Sequence, residues 1–241
     1  MNCRFWVMDP SADTDLRNAV SEAGGRATRP EIRSTSTVKS AAIFYATREG
    51  HTRRIADAIA SRLRHHGVET LVFDVADGQG REDLRRCSAI VLAAPVHAGN
   101  YAPEAVAFAR EHCEDLNRAK TSVFVSVTLS EAGVERADAS PTERAKFADD
   151  VAQLNERFFR MTGWRPAHVQ NVAGALAYSR YRLPVRLMMR WIAKRAGAST
   201  DTRRDHDYTD WEALDAFADG LASGIAASDV STPARHFKTQ R

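Results

Sequence analysis

The sequence predicts an α/β fold, a doubly wound five-stranded parallel sheet with helices on both faces. Short, uniformly apolar runs typical of strands buried on both faces alternate with longer stretches that have helical apolar spacing. The chain has 241 residues, of which 44% are hydrophobic, so it can bury a sizeable core. Strands that alternate with helices are joined by right-handed crossovers, and the sheet is therefore expected to be parallel.

Five strands are predicted, of which the first and third are apolar runs that lack the alternation of a half-exposed strand. The five are Ala41–Ala46, Leu71–Phe73, Ala89–Ala94, Ser122–Val127 and Val169–Leu176. Ligands of such sheets bind at the carboxyl ends of the strands, where the strand order reverses.

Four helices are expected between and after these strands. Two of them begin with a capping box, in which a Ser or Thr caps the helix and a Glu three residues later bonds back to it. The predicted caps are Ser140 and Thr209. The helices are expected over residues 55 to about 67, 103–114, 141–162 and 211–228.

The chain is predicted to hold one domain between two less regular ends. Residues 1–38 show no sustained apolar period and are expected to form a poorly ordered extension. Residues 39–228 form the domain, with an insertion at about 178–204, and residues 229–241 form a tail.

Composition excludes several classes of function. The formal net charge of +3 is too small to predict binding to nucleic acid. The longest charge-free stretch, Cys87–Pro103, is interrupted by Pro95 and Gly99 and is too short to cross a membrane. The three cysteines form no C-x-x-C pair, and neither they nor the eight histidines have metal-ligand spacing, so no metal site is expected.

A polar loop leads from the first strand into the first helix. A helix start presents unpaired N–H groups and a positive dipole end, which suit a phosphate group. The loop is neither a Walker A motif nor a G-x-G-x-x-G fingerprint, and an ordinary polar connection with a Thr cap is the alternative. Its residues are Thr47, Arg48, Glu49, Gly50, His51 and Thr52.

This loop resembles the T-x-x-x-x-T phosphate loop of the flavodoxin-like proteins, which hold flavin mononucleotide (FMN). The resemblance extends from about Ser40 to Ala226 and implies a flavodoxin-like fold. It also implies that the segment after the third strand lies against the isoalloxazine ring, with Thr128 in a third loop that completes the pocket; a plain surface loop with a Gly turn is the alternative. The implied ring contacts are Pro95, Val96, His97, Ala98, Gly99 and Tyr101.

Other segments resemble a narrower group, the bacterial quinone-dependent protoporphyrinogen oxidases of haem biosynthesis. They are Ala46–Thr52, Trp164–Pro166, Ala173–Tyr178, Arg180–Arg182, Asp201–Arg204 and Tyr208–Trp211. The resemblance implies an FMN enzyme that oxidises protoporphyrinogen IX to protoporphyrin IX, with menaquinone or ubiquinone as the electron acceptor. A flavodoxin-type electron carrier, an FMN-dependent NAD(P)H:quinone reductase and a non-enzymatic FMN-binding module remain alternatives.

The insertion at about 178–204 is strongly basic, with eight cationic residues against one acid, Asp201. Cations recur every fourth residue from Arg182 to Lys194, beside a face that contains Trp191. Such a helix suits an anionic membrane surface or a carboxylate-bearing substrate; a solvated helix packed on the domain is the alternative. We expect a cytoplasmic protein held peripherally on the cytoplasmic face of the inner membrane. The predicted substrate contacts are Tyr178, Arg180, Tyr181, Arg182 and Arg186.

Overall fold

The computed structural model describes residues 39–180 and 201–230, with side chains described for 39–179 and 201–227. The predicted N-terminal extension, the greater part of the basic insertion and almost all of the tail therefore lie outside the described residues. Within the described ranges, no helix is both long enough and apolar enough to cross a membrane.

Five parallel strands form the main sheet in the order β2-β1-β3-β5-β6, which confirms the predicted doubly wound sheet. A short strand, β4, pairs antiparallel with the end of β3, and two more, β7 and β8, pair antiparallel in a small separate sheet. The strands are β1 Ser40–Tyr45, β2 Glu69–Asp74, β3 Ala89–His97, β4 Asn100–Tyr101, β5 Thr121–Thr128, β6 His168–Ala173, β7 Ala175–Leu176 and β8 His206–Asp207.

Two strand ends differ from the prediction by more than two residues. The third strand continues past Ala94 to His97 because its end forms a hairpin with β4. The fifth predicted run divides at Gly174, whose N–H donates to the carbonyl of Thr128 at 3.1 Å. Beyond this point the chain leaves the main sheet, and Leu176 pairs with His206.

Six described α-helices surround the sheets: α1 His51–His65, α2 Pro103–Glu111, α3 Cys113–Arg118, α4 Leu129–Glu135, α5 Pro141–Thr162 and α6 Trp211–Val230. The helix expected over residues 103–114 is divided at His112 into α2 and α3. Helix α4 occupies a stretch that was expected to be a loop.

The sheet has a buried core on each face because successive side chains of a strand point to opposite sides. On one face Ile43 and Val91 pack against α1 and α6. On the other, Phe44 and Leu92 pack against α2, α3 and α5. These helices cover both faces and leave the carboxyl ends of the strands free to form a site.

The two predicted capping boxes have different outcomes. Ser140 accepts a hydrogen bond from the N–H of Glu143, whose carboxylate bonds back, as predicted. The prediction for Thr209 is wrong, because the side chain of Asp210 accepts from the N–H of Ala213 at 2.9 Å. The Thr209 hydroxyl instead donates to the carbonyl of Ala173 at 2.7 Å and so ties the start of α6 to the end of β6.

Candidate functional site

The loop between β1 and α1, residues Thr47–Thr52, has the features of an anion site, and we call it the phosphate-type loop. Gly50 precedes α1 with a φ of 88°, a conformation that favours glycine, and offers the helix no side-chain cap. Its N–H donates to Thr47 Oγ1 at 3.0 Å, which curls the loop over the helix start. The first turn of α1 contains no acidic residue that would satisfy the positive end of the helix dipole.

A cavity of about 50 Å³ lies at this helix start. One water needs roughly 10–15 Å³ on the same measure, so a phosphoryl group has room there. Thr52 lines the cavity and is only 2% exposed, yet nothing in the described ranges forms a hydrogen bond with its side chain. Its hydroxyl is therefore available to a ligand oxygen.

Most of the predicted cofactor residues meet at this cavity, as the convergence of strand ends requires. Those in its wall are Thr47, Glu49, His51, Thr52, Pro95, Val96 and His97. The opposite wall comes from Val127, Leu129 and the segment 174–176. Arg48 is exposed and lies outside this wall.

The ring of His51 connects α1 to the chain that follows β8. The Thr209 hydroxyl hydrogen is used by Ala173, so His51 Nε2 is the donor in its 2.8 Å hydrogen bond with Thr209 Oγ1. Burial lowers the pKa of His51, and the nearby carboxylate of Asp207 only partly opposes that shift. His51 is therefore a neutral ring that positions the helix start.

Arg54 strengthens the same connection. Its guanidinium lies 3.3 Å from the carboxylate of Asp207 and 5.0 Å from the ring centre of Trp211, the first residue of α6. This contact and that of His51 hold the amino end of α1 against the residues around β8.

His97 brings the β3–β4 hairpin next to the phosphate-type loop. Its Nε2 lies 3.7 Å from the carboxylate of Glu49, and burial lowers the pKa of His97, with Glu49 opposing the shift. The same Nε2 is buried and forms no hydrogen bond with any described residue. The His97 ring therefore joins the hairpin to the loop at the wall of the cavity.

The hairpin turns at Ala98 and Gly99, which have φ values of 50° and 77°. Positive φ at both central residues is typical of the tightest hairpin turns. No atom lies within 4 Å of the position that a Gly99 Cβ would occupy, so the backbone here is open to a flat ligand.

Tyr101, one of the implied ring contacts, does not lie on this surface. Its side chain is 6% exposed and packs edge-on against Phe124 and Phe158. Its hydroxyl donates to Asn155 and accepts from Ser126. Since Tyr101 is in β4, alternation directs it into the core beneath the hairpin.

Thr128 and Tyr178 have supporting positions. Thr128 is buried and caps α4 by accepting from the N–H of Ser130 at 3.2 Å. Tyr178 is fully buried against Leu176 and His206, so it forms the base of the β7–β8 sheet rather than an open substrate surface, contrary to the prediction. The side chain of Arg180, and all of Tyr181, Arg182 and Arg186, lie outside the described residues.

The sequence reasoning did not assign a site role to Asp207, Thr209 or Leu129. The sequence around Thr209 indicates a helix cap rather than a site residue. Its hydrogen-bond partner His51 is 158 positions away along the chain. No local pattern marks such a contact. The only available signal was the presence of Tyr208–Trp211 among the segments that carried the family resemblance.

Comparison with known proteins agrees with this architecture. The family profile described as Flavodoxin domain matches residues 42–203. Protoporphyrinogen IX dehydrogenase (quinone) of Escherichia coli strain K12 is 35% identical over 182 residues, which cover 75% of this chain and 93% of that protein. The Leishmania major protein of the same name is 29% identical over 194 residues, covering 80% of this chain and 77% of that protein.

Among solved structures, a flavodoxin from the domain Archaea aligns with 78% of this chain and 99% of its own length. The identity is 13% and the TM-score is 0.45.

Proposed function

Because this chain belongs to the Flavodoxin domain family, we propose that it binds FMN and oxidises protoporphyrinogen IX to protoporphyrin IX, with a quinone as the electron acceptor. The E. coli relative that carries this activity in its name aligns over nearly its whole length. The family match over residues 42–203 includes both the phosphate-type loop and the chain that follows β6 up to residue 203. A role in haem biosynthesis follows from this reaction.

The uncapped start of α1 is the observation that carries the FMN assignment. The N–H groups of the first turn and the hydroxyls of Thr47 and Thr52 surround a small cavity. A phosphoryl group supplies the negative charge and the acceptor oxygens that these donors lack. The residues present therefore fit the phosphate end of FMN.

The remaining parts of the site suit a flat ring. The open backbone at Gly99 allows close approach of a ring edge, and His97, neutral because its pKa is lowered, leaves no buried positive charge beside it. FMN held here would supply the redox chemistry, by which two electrons and two protons pass from the substrate to the quinone in each cycle. Three such two-electron oxidations convert protoporphyrinogen IX to protoporphyrin IX.

The finer parts of the proposal concern the identity of the electron acceptor and the location of the protein in the cell. Menaquinone and ubiquinone are membrane-dissolved, and the insertion at 178–204 combines cationic residues with Leu, Met and Trp. That composition supports peripheral binding to the anionic cytoplasmic face of the inner membrane. Binding to vesicles with and without anionic lipid tests this part.

The central test is to purify the protein, identify its bound flavin, and follow porphyrin fluorescence after adding protoporphyrinogen IX and menadione. Fluorescence that rises faster than in the enzyme-free control supports the proposal. NADPH consumption with menadione, without porphyrin formation, would instead indicate the quinone reductase. A colourless protein that takes up no FMN would contradict the cofactor assignment.

A variant at Thr52 tests the phosphate site directly. Thr52→Val keeps the side-chain shape and removes the hydroxyl, so the FMN dissociation constant is expected to rise about tenfold. Thr142→Val, on the exposed start of α5, is the matched control and should leave FMN binding unchanged. Fluorescence titration of the apoprotein measures both, and equal affinities would exclude Thr52 as a phosphate ligand.

A further inference from the structure

A second concave surface lies beside the proposed FMN site. We propose that this groove, formed by the β3–β4 turn, the start of α4 and one face of α5, binds the carboxylates of the tetrapyrrole substrate through Arg157 and Arg160. The inference rests on the proposed function and deepens it, because it assigns a surface to the dicarboxylate substrate. We call this surface the α5 groove; it is lined by Gly99, Ser130, Asp150, Leu154, Arg157 and Arg160, among others.

The α5 groove begins where the two segments expected to flank the flavin ring end. Gly99 is in the turn after β3, and Ser130 is in the first turn of α4, directly after β5. The groove volume is about 690 Å³, more than ten times that of the cavity at the phosphate-type loop. It therefore offers space for a large substrate next to the expected position of the ring.

Charge selects the kind of substrate that the groove can hold. Arg157 and Arg160 are three positions apart on α5, so they project from neighbouring points of one helix face. Both are exposed, and neither forms a hydrogen bond or ion pair with any residue of the described ranges. Two acids also line the groove; Glu156 is paired with Arg165 at 3.5 Å, and Asp150 forms no ion pair within the described ranges.

Two guanidinium groups above a half-buried Leu154 match an apolar ring that carries two carboxylates. Guanidinium binds carboxylate through paired, charge-assisted hydrogen bonds. Leu154 packs on the core cluster that contains Phe44 and Leu92, and it also lines the groove with apolar surface. Protoporphyrinogen IX, with two propionates on an apolar macrocycle, has this chemistry, whereas a neutral quinone gains nothing from two cations.

A buried polar network fixes the walls of the groove relative to each other. The Tyr101 hydroxyl, under the hairpin, donates to Asn155 Oδ1 on α5. Asn155 Nδ2 in turn lies 3.0 Å from Asn171 Oδ1 of β6. Because Asn155 lies within five residues of both Arg157 and Arg160, this network sets the position of both cations relative to the turn at Gly99.

The test compares two double variants with the same change of charge. In Arg157→Gln/Arg160→Gln the KM for protoporphyrinogen IX is expected to rise about 10- to 100-fold, because two charge-assisted contacts are lost. The KM for menadione and the FMN content should stay as in the wild type. Arg86→Gln/Arg110→Gln changes two exposed arginines elsewhere and should leave all three values unchanged.

The substrate's dimethyl ester provides a second readout, because it lacks the carboxylates. With the ester, the wild type and the α5-groove variant should have the same KM. Titration with protoporphyrin IX, followed by fluorescence, should show weaker binding to the variant independently of turnover. An unchanged KM for the diacid, or an equal loss with diacid and ester, would overturn the assignment, whereas a wild type without FMN or oxidase activity would reject the proposed function itself.

Discussion

Glu135, near the end of α4, has an electrostatic environment unlike that of most surface carboxylates. Partial burial of its carboxyl group, followed by the negative charges of Glu131 and Asp210, raises the pKa of Glu135 to about 7. Burial also raises the pKa of Glu131. The site edge formed by α4 therefore carries a carboxyl group that changes charge near neutral pH.

This shift predicts a pH-dependent effect of Glu135→Gln on stability. The folded state holds the proton more tightly than the unfolded state, so wild-type stability is highest below about pH 4.5 and falls as the pH rises to about 7. At pH 8 the variant should have a Tm about 1–3 °C above the wild type, a modest value because the side chain is partly solvated. At pH 4.5 the two should be equal.

Thermal unfolding followed by circular dichroism at both pH values measures this difference. Glu82→Gln serves as the control because Glu82 is exposed and lies outside α4. A Tm difference of the same size at pH 4.5 and pH 8 would show that the Glu135 charge is not the cause.

At the scale of elements, helix α1 is connected at both ends to the chain that follows the insertion. Its amino end contacts Thr209 and Asp207 through His51 and Arg54. Near its carboxyl end, Arg62 donates to the carboxylate of Asp219 on α6. Since the phosphate-type loop leads into the amino end of α1, the contacts of His51 and Arg54 stabilise the site from outside.

The contact between α1 and α6 predicts how Asp219→Asn alters stability. The hydrogen bond from Arg62, followed by that from His66, lowers the pKa of Asp219 to about 2. The stabilisation is present above about pH 3.8 and is lost as the pH falls towards 2. At pH 7 the variant should have a Tm lower by about 1–2 °C, because the pair is partly exposed.

Thermal unfolding at pH 7 and pH 2.5 tests this expectation, with Asp77→Asn as the control. The difference between Asp219→Asn and the wild type should shrink at the lower pH. FMN affinity should be unaffected because Asp219 lies at the far end of α1. A difference that persists undiminished at pH 2.5 would contradict the role of the charged pair.

At the scale of the whole molecule, the proposed FMN site is assembled from segments that meet at the carboxyl ends of the parallel strands. Saturating FMN should therefore stabilise the entire domain, because the unfolded chain cannot assemble those parts. At a free concentration 100 times the dissociation constant, the gain is about 2.7 kcal/mol, or a rise in Tm of about 5–10 °C.

Riboflavin, which has the same ring but no phosphate, separates the two ends of the site. Thermal unfolding of the apoprotein should show a clearly smaller shift with riboflavin than with FMN at equal concentration. Equal shifts would mean that the start of α1 does not bind the phosphoryl group.

Local patterns in the sequence determined a large part of this protein. Apolar runs marked β1 and β3, since a strand covered on both faces has few polar side chains, and the polar residues of β5 are small Ser and Thr side chains that are buried as well. Ser140 marked the start of α5 because a capping box involves only neighbouring residues. The polar loop Thr47–Thr52 was recognised for the same reason, as its donors come from one continuous segment.

Tertiary contacts decided the features that depend on partners distant in sequence. Tyr101 points into the core because Phe124 and Asn155 receive it, and Thr209 bonds Ala173 instead of capping α6. The approach of Arg157 to the turn at Gly99 likewise follows from packing α5 under the hairpin. Apolar spacing records that a side chain is buried but not which residue buries it, and that choice is made only when the helices close over the sheet.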